Sequence, residues 1–265
     1  MATVKEFYQS LNQMAPFRLQ MDFDNAGFLV GRGAAQVERV LVALDITEPV
    51  VGEAAKLGCQ LIVSHHPVIF QPAKSITDES VTGRILLALA EQKIAAICAH
   101  TNLDAVYRGV NDCLAQALEL RQVEQLHQDG VDPEGRPYGI GRVGLTHPSG
   151  LSASEYAAYV KVRLDAASVR YADGGKPVCK VAVGGGSCGS MLADAAAAGC
   201  DTFVTADVKY DQYLQARAMG ITLMDAGHYA TENVVCAPLA ERLARQFPDV
   251  EVLVSACHKE VYQGI

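Results

Sequence analysis

Apolar positions in this chain change period again and again. Thr3-x-x-Glu6 reads as a capping box that opens a helix with Phe7, Leu11 and Met14 on one face. Asp24-Asn25-Ala26-Gly27 reads as a turn. A β-rich run over residues 37–44 ends at Asp45, and Thr47-Glu48-Pro49 then starts a helix that stops at Gly58. A short apolar run over 61–63, a helix around 81–92, a second apolar run over 94–99 and a helix over about 111–120 follow. Short apolar runs alternating with amphipathic stretches predict βαβ units and a mostly parallel sheet, an α/β fold.

Residues 121–139 lose periodicity and collect Asp129-Gly130, Asp132-Pro133, Gly135 and Pro137. They mark the expected boundary between a first α/β lobe, residues 1–125, and a second, residues 126–265. The second half repeats the rhythm. Ser152-x-x-Glu155 opens a helix, 178–183 is a buried strand, and 191–198 is a helix ending at Gly199. A strand over 203–205, a helix over 208–219 ending at Gly220, a strand over 221–224 and a last long helix over 231–247 complete the pattern.

Composition narrows the function classes. The chain has 265 residues, half of them hydrophobic, and a formal net charge of −8. That balance disfavours a nucleic-acid partner, because a phosphate backbone attracts a basic face. No apolar run approaches the ~18–20 residues that span a bilayer, and the start lacks a basic segment followed by an apolar one. The expectation is a cytoplasmic protein with neither membrane nor nucleic-acid partners. None of the eight cysteines forms a Cys-x-x-Cys pair and most sit in apolar runs, so they read as small buried hydrophobes in a reducing compartment.

The chemistry is carried by histidines placed just after apolar runs. Ser64-His65-His66-Pro67 follows residues 61–63, His100-Thr101-Asn102-Leu103-Asp104 follows 94–99, and Gly227-His228-Tyr229-Ala230-Thr231-Glu232 follows 221–224. The carboxyl edge of an open α/β sheet is where ligands bind. Adjacent residues of an extended chain point oppositely, so His65 and His66 are expected to serve two ions rather than clasp one. Pro67 favours an extended His66. Asp104 has two oxygens with which to bridge cations, and His228 and Glu232, four apart, share a helix face if a helix begins near Ala226. Three neutral imidazoles and two carboxylates leave two divalent ions net cationic, which suits an anionic substrate. Two ions ~3.5–4 Å apart lower the pKa of a shared water and stabilise attacking and leaving oxygens. The donor set suits Zn, Fe or Mn alike. His100 reads as a supporting donor or proton carrier. His127, His147 and His258 lack such company and read as surface or structural residues.

A second motif competes. Residues 184–189, Gly-Gly-Gly-Ser-Cys-Gly, match G-x-G-x-x-G between a strand and a helix. A nicotinamide site wants an acidic residue ~20 positions further on. Asp201 and Asp207 come early and Lys209 stands near that place, so a tight turn explains the glycines better. A lesser role stays open, with the amides of residues 185–188 holding an anionic substrate.

At these residues the chain resembles the dinuclear-metal-centre family of Ngg-interacting-factor-three-like proteins, also labelled GTP cyclohydrolase 1 type 2 homologues. The matching segments are 24–31, 61–67, 100–104, 181–187 and 225–232, in the family's order. The resemblance implies two α/β/α lobes with parallel or mixed sheets, assembled into a toroidal homohexamer, in the short form without an inserted domain. It places the ligands on His65, His66, Asp104, His228 and Glu232, and an acidic position on Asp207. Where members often show Gly-Asp and then a His, this chain has Ala206-Asp207 and Asp211, and its tail, Ser255 to Glu260, departs from the usual ending.

The leading expectation is a metal-dependent hydrolase acting on a small anionic or nucleotide-like substrate, GTP by the family label, with His100 or Glu232 moving protons. The alternative from a different class is a regulatory or ligand-binding protein whose metals take no part in turnover. A nicotinamide oxidoreductase built on the glycine turn is the third reading.

Overall fold

Two sheets organise the chain, and each is built around strands whose every residue is apolar or small enough to be buried on both faces. The protein is described by a computed structural model, and the structure describes residues 2–147 and 149–264. Backbone contacts divide the chain into two compact units. One comprises the chain up to Leu103 together with Cys236–Lys259, the other Asp104–Val235 together with the tail from Glu260.

In the first unit a five-stranded sheet runs in the order Glu251–Val254, Arg39–Ala43, Leu61–Ser64, Ala95–Cys98, Gly27–Val30. The first four strands are parallel, and Gly27–Val30 pairs antiparallel at the edge. Leu61–Ser64 and Ala95–Cys98 are buried along their whole length, as parallel strands covered on both faces must be. One face packs Val50, Ala54, Ile85 and Leu89, from helices Glu48–Leu57 and Val81–Glu91, against Leu41 and Ile62. Thr47 caps the first of these helices and Gly58 ends it in the left-handed region, at φ 67°. The pairing of Ser64 with Cys98 brings the ends of two neighbouring parallel strands level, so His65-His66 and His100 leave the sheet at one edge.

In the second unit a six-stranded sheet runs Arg170–Ala172, Thr222–Asp225, Thr202–Thr205, Lys180–Val183, Arg142–Leu145, Arg121–Gln125. Thr222–Asp225, Thr202–Thr205 and Lys180–Val183 are parallel, and antiparallel strands flank them. The glycine turn, Asp207 and His228 follow the carboxyl ends of these three strands. Tyr156, Val160, Val181, Val204 and Met224 lie in the core on one face, with Phe203, Leu223 and Ala182 on the other.

The expected division at 125/126 does not coincide with these units. Residues 121–139 hold an edge strand and a small hairpin, Gly130–Val131 with Pro137–Tyr138, inside the second unit. Arg121–Gln125 is almost wholly exposed, so it carries no apolar alternation to read. The last long helix also differs. His228–Glu232 is a separate short helix, a 3₁₀ turn covers Asn233–Val235, and Cys236–Gln246 returns to the first unit with the strand after it.

Arg142 is an apolar-sheet position occupied by a charge. It is 4% exposed; its Nε donates to Asp112 at 2.6 Å, and its terminal nitrogens donate to the carbonyls of Val106, Gly139 and Gly141. Removing one partner of such a pair strands the other. Arg142→Ala is expected to cost about 3–5 kcal/mol in urea unfolding. Arg136→Ala, at the solvent-screened pair with Asp132, is expected to leave the urea midpoint nearly unchanged in the same measurement.

Candidate metal centre

In the first unit three imidazoles gather beyond the carboxyl ends of Leu61–Ser64 and Ala95–Cys98. Ring centroids lie 5.0 Å apart for His65 and His66, 5.1 Å for His65 and His100, and 5.4 Å for His66 and His100. One ring nitrogen of each lies within 4.8 Å of the others. The other nitrogen is occupied in every case. His65 Nδ1 lies 2.8 Å from the Ala99 carbonyl, His66 Nδ1 2.7 Å from Asp45 Oδ1, and His100 Nδ1 2.8 Å from Asp24 Oδ1. A carbonyl or carboxylate only accepts, so Nδ1 carries the proton and Nε2 the lone pair of each neutral ring.

His65 and His66 therefore do not diverge as an alternating strand would require. The strand ends at Ser64, and past its end the pleat no longer sets side-chain direction. His100 joins the pair instead of standing apart from it.

The supporting acids are strongly ionised. Burial would raise the Asp24 carboxyl, but hydrogen bonds from His100 and Thr101 outweigh it and bring it to about 2. Burial likewise opposes the Asp45 charge, and hydrogen bonds from His258 and His66 hold that carboxyl far below the usual range. Asp24 read as a turn residue in a segment matching the family, and Asp45 as a strand end, neither with a role at the histidines. Their signal was their place, since Asp45 leaves the same sheet edge as His65.

In the second unit Gly227, at φ 90°, starts the short helix that carries His228 and Glu232. One turn apart, they bring Nε2 and Oε2 to 2.9 Å. His228 Nδ1 lies 2.7 Å from Asp207 Oδ2, so Asp207 orients this ring, and it does so from a left-handed backbone at φ 51°. Asp211 is exposed in the helix that follows. Asp104, on the short helix Thr101–Ala105, is buried, and one of its oxygens lies within 4.8 Å of one from Glu232. Burial, reinforced by the Asp104 and Glu232 charges, pushes the Cys188 thiol far up.

Three amides of the glycine turn are already spent within the protein. Gly185 N–H donates to Asn111 Oδ1, Gly186 N–H to Thr231 Oγ1 and Cys188 N–H to Thr205 Oγ1. Asn111 in turn donates to the Asp104 carbonyl. The turn is a floor under the acids: a methyl at Gly186 would overlap Glu232 Oε1 and stand 3.2 Å from His228 Nε2, at φ 64°. Glycine serves close approach here.

His127 and His147 are exposed as expected. His258 is structural rather than exposed. Its side chain is 8% exposed and its Nε2 lies 2.8 Å from Asp45 Oδ2. The buried thiols behave as hydrophobes: burial raises Cys59 and Cys200 to about 11 and Cys98 to about 12.

The sequence pattern of the Duf34/NIF3 (NGG1p interacting factor 3) family matches residues 2–261. The chain belongs to the Duf34/NIF3 family. A relative from Streptomyces coelicolor, named GTP cyclohydrolase 1 type 2 homolog, is 39% identical over 264 residues, covering 96% of this chain and 92% of its own. One of the same name from Clostridium perfringens is 32% identical over 257 residues, covering 96% and 97%. The fold matches a crystal structure of a Bacillus cereus protein related to NIF3 at a TM-score of 0.94, with 24% identity, covering 100% of this chain and 99% of that one. No described helix of this Duf34/NIF3 chain is long and apolar enough to cross a membrane.

Two outcomes are expected for this Duf34/NIF3 protein. The folded Asp24 pKa lies below the unfolded value of 3.8, so its stabilisation is complete above that value and fades as pH falls toward about 2. Asp24→Asn should therefore cost about 2 kcal/mol at neutral pH, and denaturant titrations should show that gap closing between pH ~4 and ~2. Gly186→Ala should cost about 1–3 kcal/mol in thermal unfolding, from a positive φ and a displaced Glu232.

Proposed function

We propose that this chain holds two divalent cations through His65, His66, Asp104, His228 and Glu232 and hydrolyses a small anionic, nucleotide-like substrate. The observation that carries the reading is the state of the imidazoles. His65 and His66 each have Nδ1 tied to a carbonyl or carboxylate, which leaves Nε2 for a cation, and His228, tied the same way, holds its Nε2 against the Glu232 carboxylate that would share the ion with it. Such an arrangement fits a metal far better than a structural hydrogen-bonding role, where no common tautomer is needed. Bound there, paired ions would act as Lewis acids on a carbonyl or phosphoryl oxygen and would activate water.

The chain's own groups do the rest. Asp24, fully ionised, holds the Nδ1 proton of His100, so His100 Nε2 is the base end of an imidazole set beside His65 and His66. Glu232, buried to 4% exposure, is the second group with a proton to move. Five donors carrying two negative charges leave the pair net positive, which favours an anionic substrate. The relatives' names point to GTP, and the resemblance points to a homohexamer.

His65→Ala and Asp104→Ala proteins should stay folded by circular dichroism and lose metal in elemental analysis. Full occupancy in both would overturn the ligand assignment. The metal-loaded protein, assayed against GTP, other nucleotides and phosphoesters, should show turnover that a chelator abolishes and His100→Ala lowers by ~10²-fold or more. Tight binding without turnover across the panel would favour a regulatory protein instead.

A further inference from the structure

Asp45 is shared between two imidazoles from opposite ends of the chain. It stands just beyond Arg39–Ala43, with Oδ1 2.7 Å from His66 Nδ1 and Oδ2 2.8 Å from His258 Nε2. His258 is delivered by the parallel strand Glu251–Val254, whose pairing with Arg39–Ala43 continues as Ser255 N–H donates to the Val42 carbonyl. Glu53 then pins the tail, accepting from Ser255 Oγ at 2.5 Å and from the Ala256 N–H at 2.9 Å. The His258 N–H folds back to Ser255 Oγ at 3.3 Å. The result is a buried ring in a tail that is otherwise largely exposed.

A carboxylate held through one oxygen still turns about its own side-chain bonds, and the ring it orients turns with it. A donor on the second oxygen fixes the plane. Ring orientation and tautomer govern how well an imidazole binds a metal, and the groups that set them typically contribute 10–100-fold in affinity. We propose that His258 is a positioning residue: by holding Asp45 Oδ2 it locks the carboxylate that orients His66, so that docking of the C-terminal tail is coupled to metal affinity. The proposal rests on the reading of His66 as a metal ligand.

The test compares wild type with His258→Ala, His258→Gln, Asp45→Asn and the double variant Asp45→Asn/His258→Ala. Zinc affinity is read by competition with a chromophoric chelator, and the His66 ring by ¹⁵N-resolved spectra of chelator-treated protein. His258→Ala is expected to weaken zinc binding about tenfold and to depopulate the Nδ1–H form of His66. Gln, whose amide nitrogen reaches the place of His Nε2, should restore both. The double variant should bind no worse than Asp45→Asn alone, since the two residues act in series. A residue that merely staples the tail would lower the unfolding midpoint in His258→Ala without moving zinc affinity or the His66 spectrum, and that result overturns the proposal. Should His66→Ala keep its full zinc, the ligand reading fails instead. The ring spectra then decide: an Nδ1–H population that falls in His258→Ala and returns in His258→Gln sustains the coupling, and an unchanged one ends it.

Discussion

An imidazole offers a lone pair at one nitrogen only while the other holds a proton, and the surroundings of the candidate histidines in each unit are arranged to keep that proton in place. Ala99, Asp45, Asp24 and Asp207 supply four acceptors for four Nδ1 atoms. Three are carboxylates, and two of these stand against substantial desolvation. A buried acid with no partner would take up a proton and lose its ability to accept; hydrogen bonds from the rings themselves keep Asp24 and Asp45 ionised. Ring and acid thus fix one another's protonation. This mutual dependence, at His100 with Asp24 and His66 with Asp45, contrasts with His127, which lies 3.5 Å from two exposed carboxylates and gains little orientation from either.

The sheets exist, for function, to deliver these groups at their carboxyl edges. Parallel strands that end level put consecutive loops side by side, so groups distant in sequence arrive together without long side chains. The backbone then yields where the chemistry needs room. Asp207 takes a left-handed conformation that a non-glycine residue rarely adopts, and Gly186 takes another so that Glu232 lies against bare backbone. Both departures follow directly on strands whose carboxyl-terminal residues are buried.

Much of this was legible in the sequence wherever the signal is local. The caps at Thr3 and Ser152 are read from three-residue spacings and that at Thr47 from the proline two residues on, and all three form. The strands that carry the histidines are apolar runs between helices, and they stand where the pattern puts them. Signals that depend on distant partners were not legible. Arg121–Gln125, Arg170–Ala172 and Glu251–Val254 are edge strands with mixed exposure, so neither alternation nor a solid apolar run marks them. The pairing of Asp24 with His100 and of Asp45 with His258 spans 76 and 213 residues, and no spacing rule reaches that far. The glycine turn misled for a related reason. Its match to a phosphate-binding pattern is real, but whether its amides are spent depends on Asn111, Thr205 and Thr231, which the motif does not contain.

The return of the chain's last helix and strand to the first unit has a consequence for how the cluster of His65, His66 and His100 matures. Pairing of Glu251–Val254 with Arg39–Ala43 joins residues more than two hundred positions apart, so it closes a long loop and completes late relative to the local βαβ contacts. Before that strand docks, Arg39–Ala43 is an edge, and Asp45 at its end has His66 as a donor but not His258. The strand pairing, the Glu53 staple and the His258 contact all lie along one short stretch of tail, so they form or break together. An imidazole whose carboxylate partner is fixed only when that stretch is seated reports, in its own orientation, whether the first unit has been completed.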